Sequence, residues 1–162
     1  MTATYIALAN TTVPAGGLAT VTFSNIPSTF RDLVYVISGQ LENATSTDTI
    51  LRVNGDSGGN YSRVYSYGSG ASVSTASETA LNQFLPWYTR NNGSNAIGYV
   101  MDYSATDKHK VILARSNNAS NEGTSMQTQR WANTAAITSL AFSSSTNEFA
   151  QGTTFALYGI VS

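Results

Sequence analysis

The sequence predicts an all-β protein, an antiparallel sandwich or barrel with at most one short helix. Apolar side chains recur with a period of two in nearly every segment that shows a period, which is typical of strands with one buried face. Clusters of Gly, Asn, Asp, Ser and Pro separate these segments, as turns between strands do. No internal repeat, charge block or shift in composition divides the chain, so we expect a single β-sandwich domain over residues 1–162.

The predicted strands follow one another along the whole chain. Val21 and Phe23 alternate with threonines and a serine, which indicates one buried and one wet face. The segment 33–37 is apolar on both faces, as expected of a central strand that is covered on both sides. The same alternation predicts further strands at 99–103, 111–115, 140–142 and 155–160. Turn residues lie between the strands, at 14–17, 26–28, 54–60, 91–95 and 117–123.

One stretch leaves two structures open. Residues 75–78, with the sequence TASE, match a helix capping box, and Ala80, Leu81, Phe84 and Leu85 follow at helical spacing. A short helix and an irregular strand both agree with this pattern. Pro86 ends either element.

Composition excludes several classes of function. Only 10% of the residues are charged, against about 25% in typical soluble domains, and the net charge is −1. A surface of this kind gives no electrostatic footprint for nucleic acid or an anionic membrane. Polarity comes instead from 21 Ser, 21 Thr and 14 Asn, which suits lasting contact with other proteins. The absence of cysteine excludes disulfides, thiolate metal sites and cysteine nucleophiles.

No targeting segment is expected either. The N-terminal MTATYIALAN lacks the basic region and apolar stretch of a secretory signal. The longest strictly apolar run, 33–37, is far too short to cross a bilayer. We therefore expect synthesis in a host cytoplasm without export by a signal in this chain.

The segment 55–59, GDSGG, matches the nucleophile segment of chymotrypsin-like serine proteases letter for letter. That mechanism needs a histidine and an aspartate, which precede the serine in that fold, whereas the one histidine here, His109, follows it. Because Asn54 and Asn60 flank the segment, it is predicted to be a glycine-rich turn. His109 is expected to be a solvated turn residue.

Other catalytic arrangements are also missing from the sequence. Of nine acidic residues only Asp102, within a predicted strand, is a candidate for partial burial, and glycoside hydrolysis needs a pair. A single histidine without cysteine leaves only oxygen ligands for a metal, and neither a calcium loop nor a phosphate-binding glycine motif occurs. We predict no catalytic, cofactor-binding or metal-binding residues, and therefore no enzyme.

The segment 84–88, FLPWY, and the pair Arg130-Trp131 supply the candidate contact residues. Large aromatic side chains beside arginine dominate interface hot spots. The predicted protein-interface residues are Phe84, Leu85, Trp87, Tyr88, Arg90 and Trp131. Two alternatives remain open: Leu85 and Trp87 close one end of the sandwich, or the aromatic faces hold a sugar.

The order of three segments resembles small β-sandwich virion proteins of tailed bacteriophages. They are VTFSNIPSTFRDL at 21–33, LRVNGD at 51–56 leading to NYS at 60–62, and GTTFALYGI at 152–160. Together they span nearly the whole chain. The resemblance implies either a capsid decoration (cement) protein, often a homotrimer with a jelly-roll-like fold, or a module of tail fibres and tail tips. It supplies no catalytic residues.

From this resemblance we expect a decoration protein that trimerises on the outer capsid surface, contacts the major capsid protein and stabilises the shell. Predicted strands extend from near Met1 to Ser162 and leave no coiled-coil shaft or β-helix, which favours decoration over a fibre. The alternative is a tail-associated receptor-binding module or adhesin that recognises a host surface glycan. A glycan partner is expected only under that alternative.

Overall fold

The computed structural model describes residues 4–43, 47–89, 93–119 and 123–161. They form twelve strands, and every strand pair is antiparallel. The strands are β1 (Tyr5–Thr12), β2 (Thr20–Phe23), β3 (Asp32–Gly39), β4 (Thr47–Val53), β5 (Tyr61–Ser69), β6 (Ser72–Leu81), β7 (Phe84–Thr89), β8 (Ser94–Met101), β9 (Lys110–Asn118), β10 (Gly123–Trp131), β11 (Leu140–Ser144) and β12 (Thr154–Ile160).

The strands build two sheets of unequal width. The large sheet has eight strands in the order β1-β12-β3-β8-β9-β10-β5-β6, and the small sheet has four in the order β2-β11-β4-β7. The prediction of an all-β antiparallel sandwich is confirmed, and the apolar segment 33–37 lies in β3, between β12 and β8. No described residue is helical. The described part of the chain therefore contains no helix that could cross a membrane.

The stretch with a helical pattern belongs to two strands: residues 75–81 lie in β6, whereas Phe84 and Leu85 begin β7 of the other sheet. Pro86 lies within β7, so the prediction that it ends the element is wrong. In β6, Glu78 is paired with Arg63 of β5 and the two side chains form a salt bridge with an Nε to Oε2 distance of 2.8 Å. Near its end the strand is irregular, because a bulge interrupts the β5 register and Ala80 has a φ of +55°. The helical alternative is therefore wrong, since ladder pairing with β5 outweighs the local capping pattern.

The core lies between the two sheets. Leu33, Tyr35 and Ile37 of β3 point towards the small sheet, where Phe142 of β11 is fully buried. The Phe142 ring centroid lies 5.2 Å from that of Tyr35 and 5.6 Å from that of Phe155, close enough for favourable aromatic contact. These rings anchor the small sheet over β3 and β12.

The small sheet does not reach across the whole of the large one. Its edge strand β7 packs mainly over β9 and β8 and touches β10 and β5 only marginally. The inward side chains change accordingly, from Ile112 and Ala114 on β9 to Gln127 on β10 and to Arg63 and Tyr65 on β5. Beyond β7 the inner face of the large sheet is therefore polar and aromatic, and it opens into a cleft.

Candidate functional site

The cleft lies between the projecting strands β10, β5 and β6 and the edge of the small sheet. Its volume is about 280 Å³, near the lower end of the range for small-molecule sites. The described residues that line it are Asp48, Arg63, Tyr65, Tyr67, Ser74, Ser125 and Gln127. They come from β4, β5, β6 and β10.

Strand register brings these side chains together. Gln127 of β10 is the ladder partner of Tyr65, and Ser125 is the partner of Tyr67. Because successive side chains of a strand alternate between the two faces, Arg63, Tyr65 and Tyr67 all point to the same side of β5. They form a row along one wall of the cleft.

Arg63 is the centre of the polar network. Its Nε donates to Oε2 of Glu78 at 2.8 Å, and its Nη1 donates to Oε1 of Gln127 at 3.4 Å. The guanidinium carbon lies 4.4 Å from the centroid of the Tyr65 ring, a cation–π distance. Only 10% of the Arg63 side chain is exposed, so these contacts fix the guanidinium in place.

Gln127 links the network to the small sheet. Its Nε2 donates to the carbonyl oxygen of Leu85 on β7 at 2.8 Å. Its Oε1 also accepts a bond of 2.8 Å from Nε2 of Gln129, which is fully buried. The side chains around Gln127 are therefore set before any ligand arrives, a condition that lowers the entropy cost of binding.

Asp48 brings a second carboxylate to the site from β4. Burial raises the pKa of Asp48, the Arg63 charge opposes that rise, and the Glu78 charge adds to it. Arg63 is thus faced by two acids, one bonded to it and one held in a partly desolvated position. With both acids ionised, these three groups sum to a charge of −1.

Two of the predicted contact residues belong to the core. Phe84 is fully buried, and its ring packs edge-on against Tyr61 with centroids 4.7 Å apart. Trp131 is 1% exposed and donates its indole Nε1–H to Oδ2 of Asp56 at 2.7 Å. The prediction placed both on a contact surface, and this is corrected: the Phe84 side chain points from β7 into the core, and Trp131 lies under the 54–60 turn.

The other predicted contact residues adjoin the cleft or lie outside the described part. Leu85 is partly buried, and its carbonyl oxygen accepts the bond from Gln127. Trp87 and Tyr88 belong to β7, with backbones paired to Thr49 and Asp48, but their side chains are outside the described part of the structure. Arg90 is outside the described residues. A contact role for these four stays a prediction.

The GDSGG segment is a turn, as predicted. Asn54 and Gly55 have φ values of +51° and +70°. The Asp56 carboxylate accepts bonds from the Gly58 amide at 2.8 Å, Asn60 Nδ2 at 2.9 Å and the Trp131 indole. This carboxylate closes the turn and ties it to β10.

The remaining titratable candidates do not form a catalytic group. His109 is exposed in the turn between β8 and β9. Asp102, the candidate for partial burial, is exposed and lies 3.4 Å from Nζ of Lys108. Among the described residues no three acidic or histidine side chains are grouped to hold a metal ion.

A second surface is the outer face of the large sheet. It carries exposed apolar side chains, of which Val64 is 60% exposed and Met126 is 56% exposed. A shallow depression of about 480 Å³ lies near Ile97 and Arg115 on this side. On the outward positions of β5, β6, β8, β9 and β10 the charged residues are Arg115 and Arg130, with no acid among them.

Comparison with known proteins finds no family model and no curated protein that matches the chain. Among solved structures, the galectin LEC-6 of Caenorhabditis elegans is similar over 94% of this chain and 96% of its own, with 10% identity and a TM-score of 0.40. The PL-14 alginate lyase of Aplysia kurodai is similar over 85% of this chain and 72% of its own, with 11% identity and a TM-score of 0.37.

Proposed function

We propose that this chain is a virion module of a tailed bacteriophage that binds a saccharide of the host surface in the cleft beside β7. The virion setting follows from the resemblance of its segments to phage β-sandwich proteins. The choice of a saccharide as ligand is based on the tyrosine rings and polar side chains that line the cleft. This function is the receptor-binding alternative, with the cleft residues as the binding site.

The observation that carries the proposal is the row Arg63, Tyr65 and Tyr67 on the open inner face of β5. The neighbouring exposed strand β6 consists half of Ser and Thr, so solubility alone does not require aromatic and ionic side chains on β5. Saccharides present apolar C–H faces bordered by hydroxyl groups. Tyrosine rings match the former, while carboxylate, amide and hydroxyl groups match the latter.

A binding role fits these groups better than a catalytic one. Oε2 of Glu78 accepts a bond from Arg63, so this carboxylate is engaged in holding the guanidinium. His109, the one imidazole of the chain, lies in the turn between β8 and β9 and does not line the cleft. A site built from a fixed network and two tyrosines supports recognition without a bond-breaking step.

The test is retention of the purified protein on a glycan array, followed by calorimetric titration of any saccharide that binds. We expect saturable binding that is lost in Tyr65→Ala and Gln127→Ala, because these remove a ring and the link to β7. Val64→Ser, on the opposite face of the same strand, is the matched control and should bind like wild type. Trp131→Ala is unsuitable, since it would disrupt the core.

Absence of saturable binding to any saccharide would refute the proposal. So would binding that both cleft variants leave unchanged while their melting temperatures match wild type. A site elsewhere would then have to be sought.

A second candidate, capsid decoration, is supported by the apolar outer face of the large sheet. A homotrimer on the outer capsid surface would bury Val64 and Met126 against sister subunits or the major capsid protein. A protein that binds only the assembled shell stabilises it by mass action. We expect added protein to raise the melting temperature of undecorated heads; no shift and no saturable binding would exclude decoration.

Copy number in purified virions separates the two candidates. Hundreds of copies spread over the head would favour decoration, whereas a few copies confined to the tail would favour receptor binding.

A further inference from the structure

We propose that the cleft accepts uncharged saccharides and rejects anionic ones such as uronic acids and sulfated sugars. This inference rests on the proposed saccharide-binding function and names the ligand class. It follows from how the charges of Arg63, Glu78 and Asp48 are arranged.

Arg63 is the one cation among the described residues that line the cleft. A sugar carboxylate or sulfate is bound best by a guanidinium that offers two free parallel N–H groups. Here Nε is bonded to Glu78 and Nη1 to Gln127, and one face of the guanidinium lies over Tyr65. These two bonds use two of the five N–H groups of the guanidinium. An anion that reached the remaining N–H groups would meet a guanidinium whose charge Glu78 already offsets.

The two carboxylates add a repulsive barrier. Glu78 is 2.8 Å from Arg63, and Asp48 lines the same cleft from the opposite sheet. With Glu78 ionised, the summed charge of the three groups is −1 or zero, depending on the proton of Asp48, and is never positive. A negative sugar therefore meets like charge in a partly desolvated space, where screening by water is reduced.

The same groups suit neutral sugars. The carboxylate of Asp48 lines the cleft and is a strong acceptor for sugar hydroxyl protons. The hydroxyl of exposed Ser74 is available to act as donor or acceptor. The cleft therefore offers oxygen acceptors for sugar hydroxyl groups, while its one cation, Arg63, is already bonded to Glu78.

The test uses pairs of oligosaccharides that share linkage and ring configuration but differ in the C6 group, such as a galactose oligomer and its galacturonate counterpart. For wild type we expect the neutral member to bind at least about tenfold more tightly, the effect of one like charge a few ångströms away in a half-exposed site.

Three variants make the test specific to charge. Asp48→Asn removes one negative charge from the cleft lining. Asp48→Asn combined with Glu78→Gln also removes the carboxylate bonded to Arg63, so the double variant carries an uncompensated Arg63. We expect the preference for the neutral sugar to shrink in the single variant and to vanish or reverse in the double variant. Asp107→Asn removes one charge from an exposed turn and should leave the preference unchanged.

Equal or tighter binding of the uronate by wild type would overturn the inference while leaving saccharide binding established. An unchanged preference in Asp48→Asn, with a melting temperature no lower than wild type, would also overturn it. This single variant keeps the test valid if Glu78→Gln disturbs the fold. Binding of neither member, nor of any other saccharide, would refute the proposed function itself.

Discussion

The inner face of the large sheet has two halves that differ in what lies above them. On β3, Leu33, Tyr35 and Ile37 point at the small sheet, and none is more than 1% exposed. On β5, inward positions are occupied by Tyr65 and Tyr67, which are only partly buried. Both strands have a period of two, so alternation shows which face is inward but not whether a second sheet covers it. That information lies in the residue types at the inward positions.

The largest expected difference between the halves is in the cost of deleting a ring. Phe142→Ala removes a fully buried side chain that packs on Tyr35 and Phe155, and we expect a loss of about 3–5 kcal/mol in the free energy of unfolding. Tyr67→Ala in the cleft should cost about 1 kcal/mol or less. Urea denaturation at one pH measures both. Equal losses would mean that β5 is covered as fully as β3.

Gly98 tests the packing of the covered half at the backbone. Gly98 lies on the inner face of β8, where a Cβ atom would overlap the ring of Tyr35. Gly98→Ala should therefore cost about 1–3 kcal/mol through overpacking. Gly68→Ala is the control, because on the outer face of β5 the nearest atom would be 3.8 Å from the new Cβ. Similar thermal denaturation of the two variants would contradict close packing of Tyr35 against β8.

Asp56 marks the closed end of β10. Burial raises the pKa of Asp56, but bonds from Trp131, Asn60 and Gly58 outweigh it and hold the pKa below 3.8. Asp56→Ala leaves the buried indole N–H without its acceptor, which should cost about 1–2 kcal/mol near pH 7. Since the folded-state pKa is lowered, this stability is present above pH 3.8 and is lost as pH falls through the folded-state pKa. Urea denaturation at several pH values measures this loss of stability. If the loss in Asp56→Ala does not become smaller in acid, the bond from Trp131 does not depend on an ionised Asp56.

Local signals in the sequence determine most of the fold. Alternation places Val21, Phe23 and the segment 33–37 in strands, and Asn and Gly at positive φ mark the turn at 54–60. The stretch 75–85 differs because its helical spacing is a local pattern, whereas Glu78 and Arg63 are paired across two strands. Pairing with a segment more than ten residues away outweighs a capping signal that one segment carries alone.

The cleft is harder to predict because it assembles residues from 48 to 127. One local signal does exist in the YSRVYSY segment at 61–67, where three tyrosines and an arginine share a face. The aromatic rule that selected Phe84 and Trp131 does not distinguish a core ring from a surface ring. Phe84 is covered because β7 packs over β9, and Trp131 is covered by the turn that holds Asp56, whereas β7 barely reaches β5 and Tyr65.

The smallest expected effect concerns Asp48 of β4, which lines the cleft from the small sheet. Burial raises the pKa of Asp48 above 3.8, so the folded state binds this proton more tightly than the unfolded state does. The pKa of Asp56 moves in the opposite direction. The stability linked to that proton is fully present below pH 3.8 and is lost as pH rises through the folded-state pKa. Asp48→Asn should therefore raise stability near pH 7, by less than about 1 kcal/mol because the cleft is partly hydrated, and leave it unchanged near pH 3. Melting temperatures across this range measure the effect, and a destabilised variant at pH 7 would mean that attraction to Arg63 outweighs the cost of burying the charge.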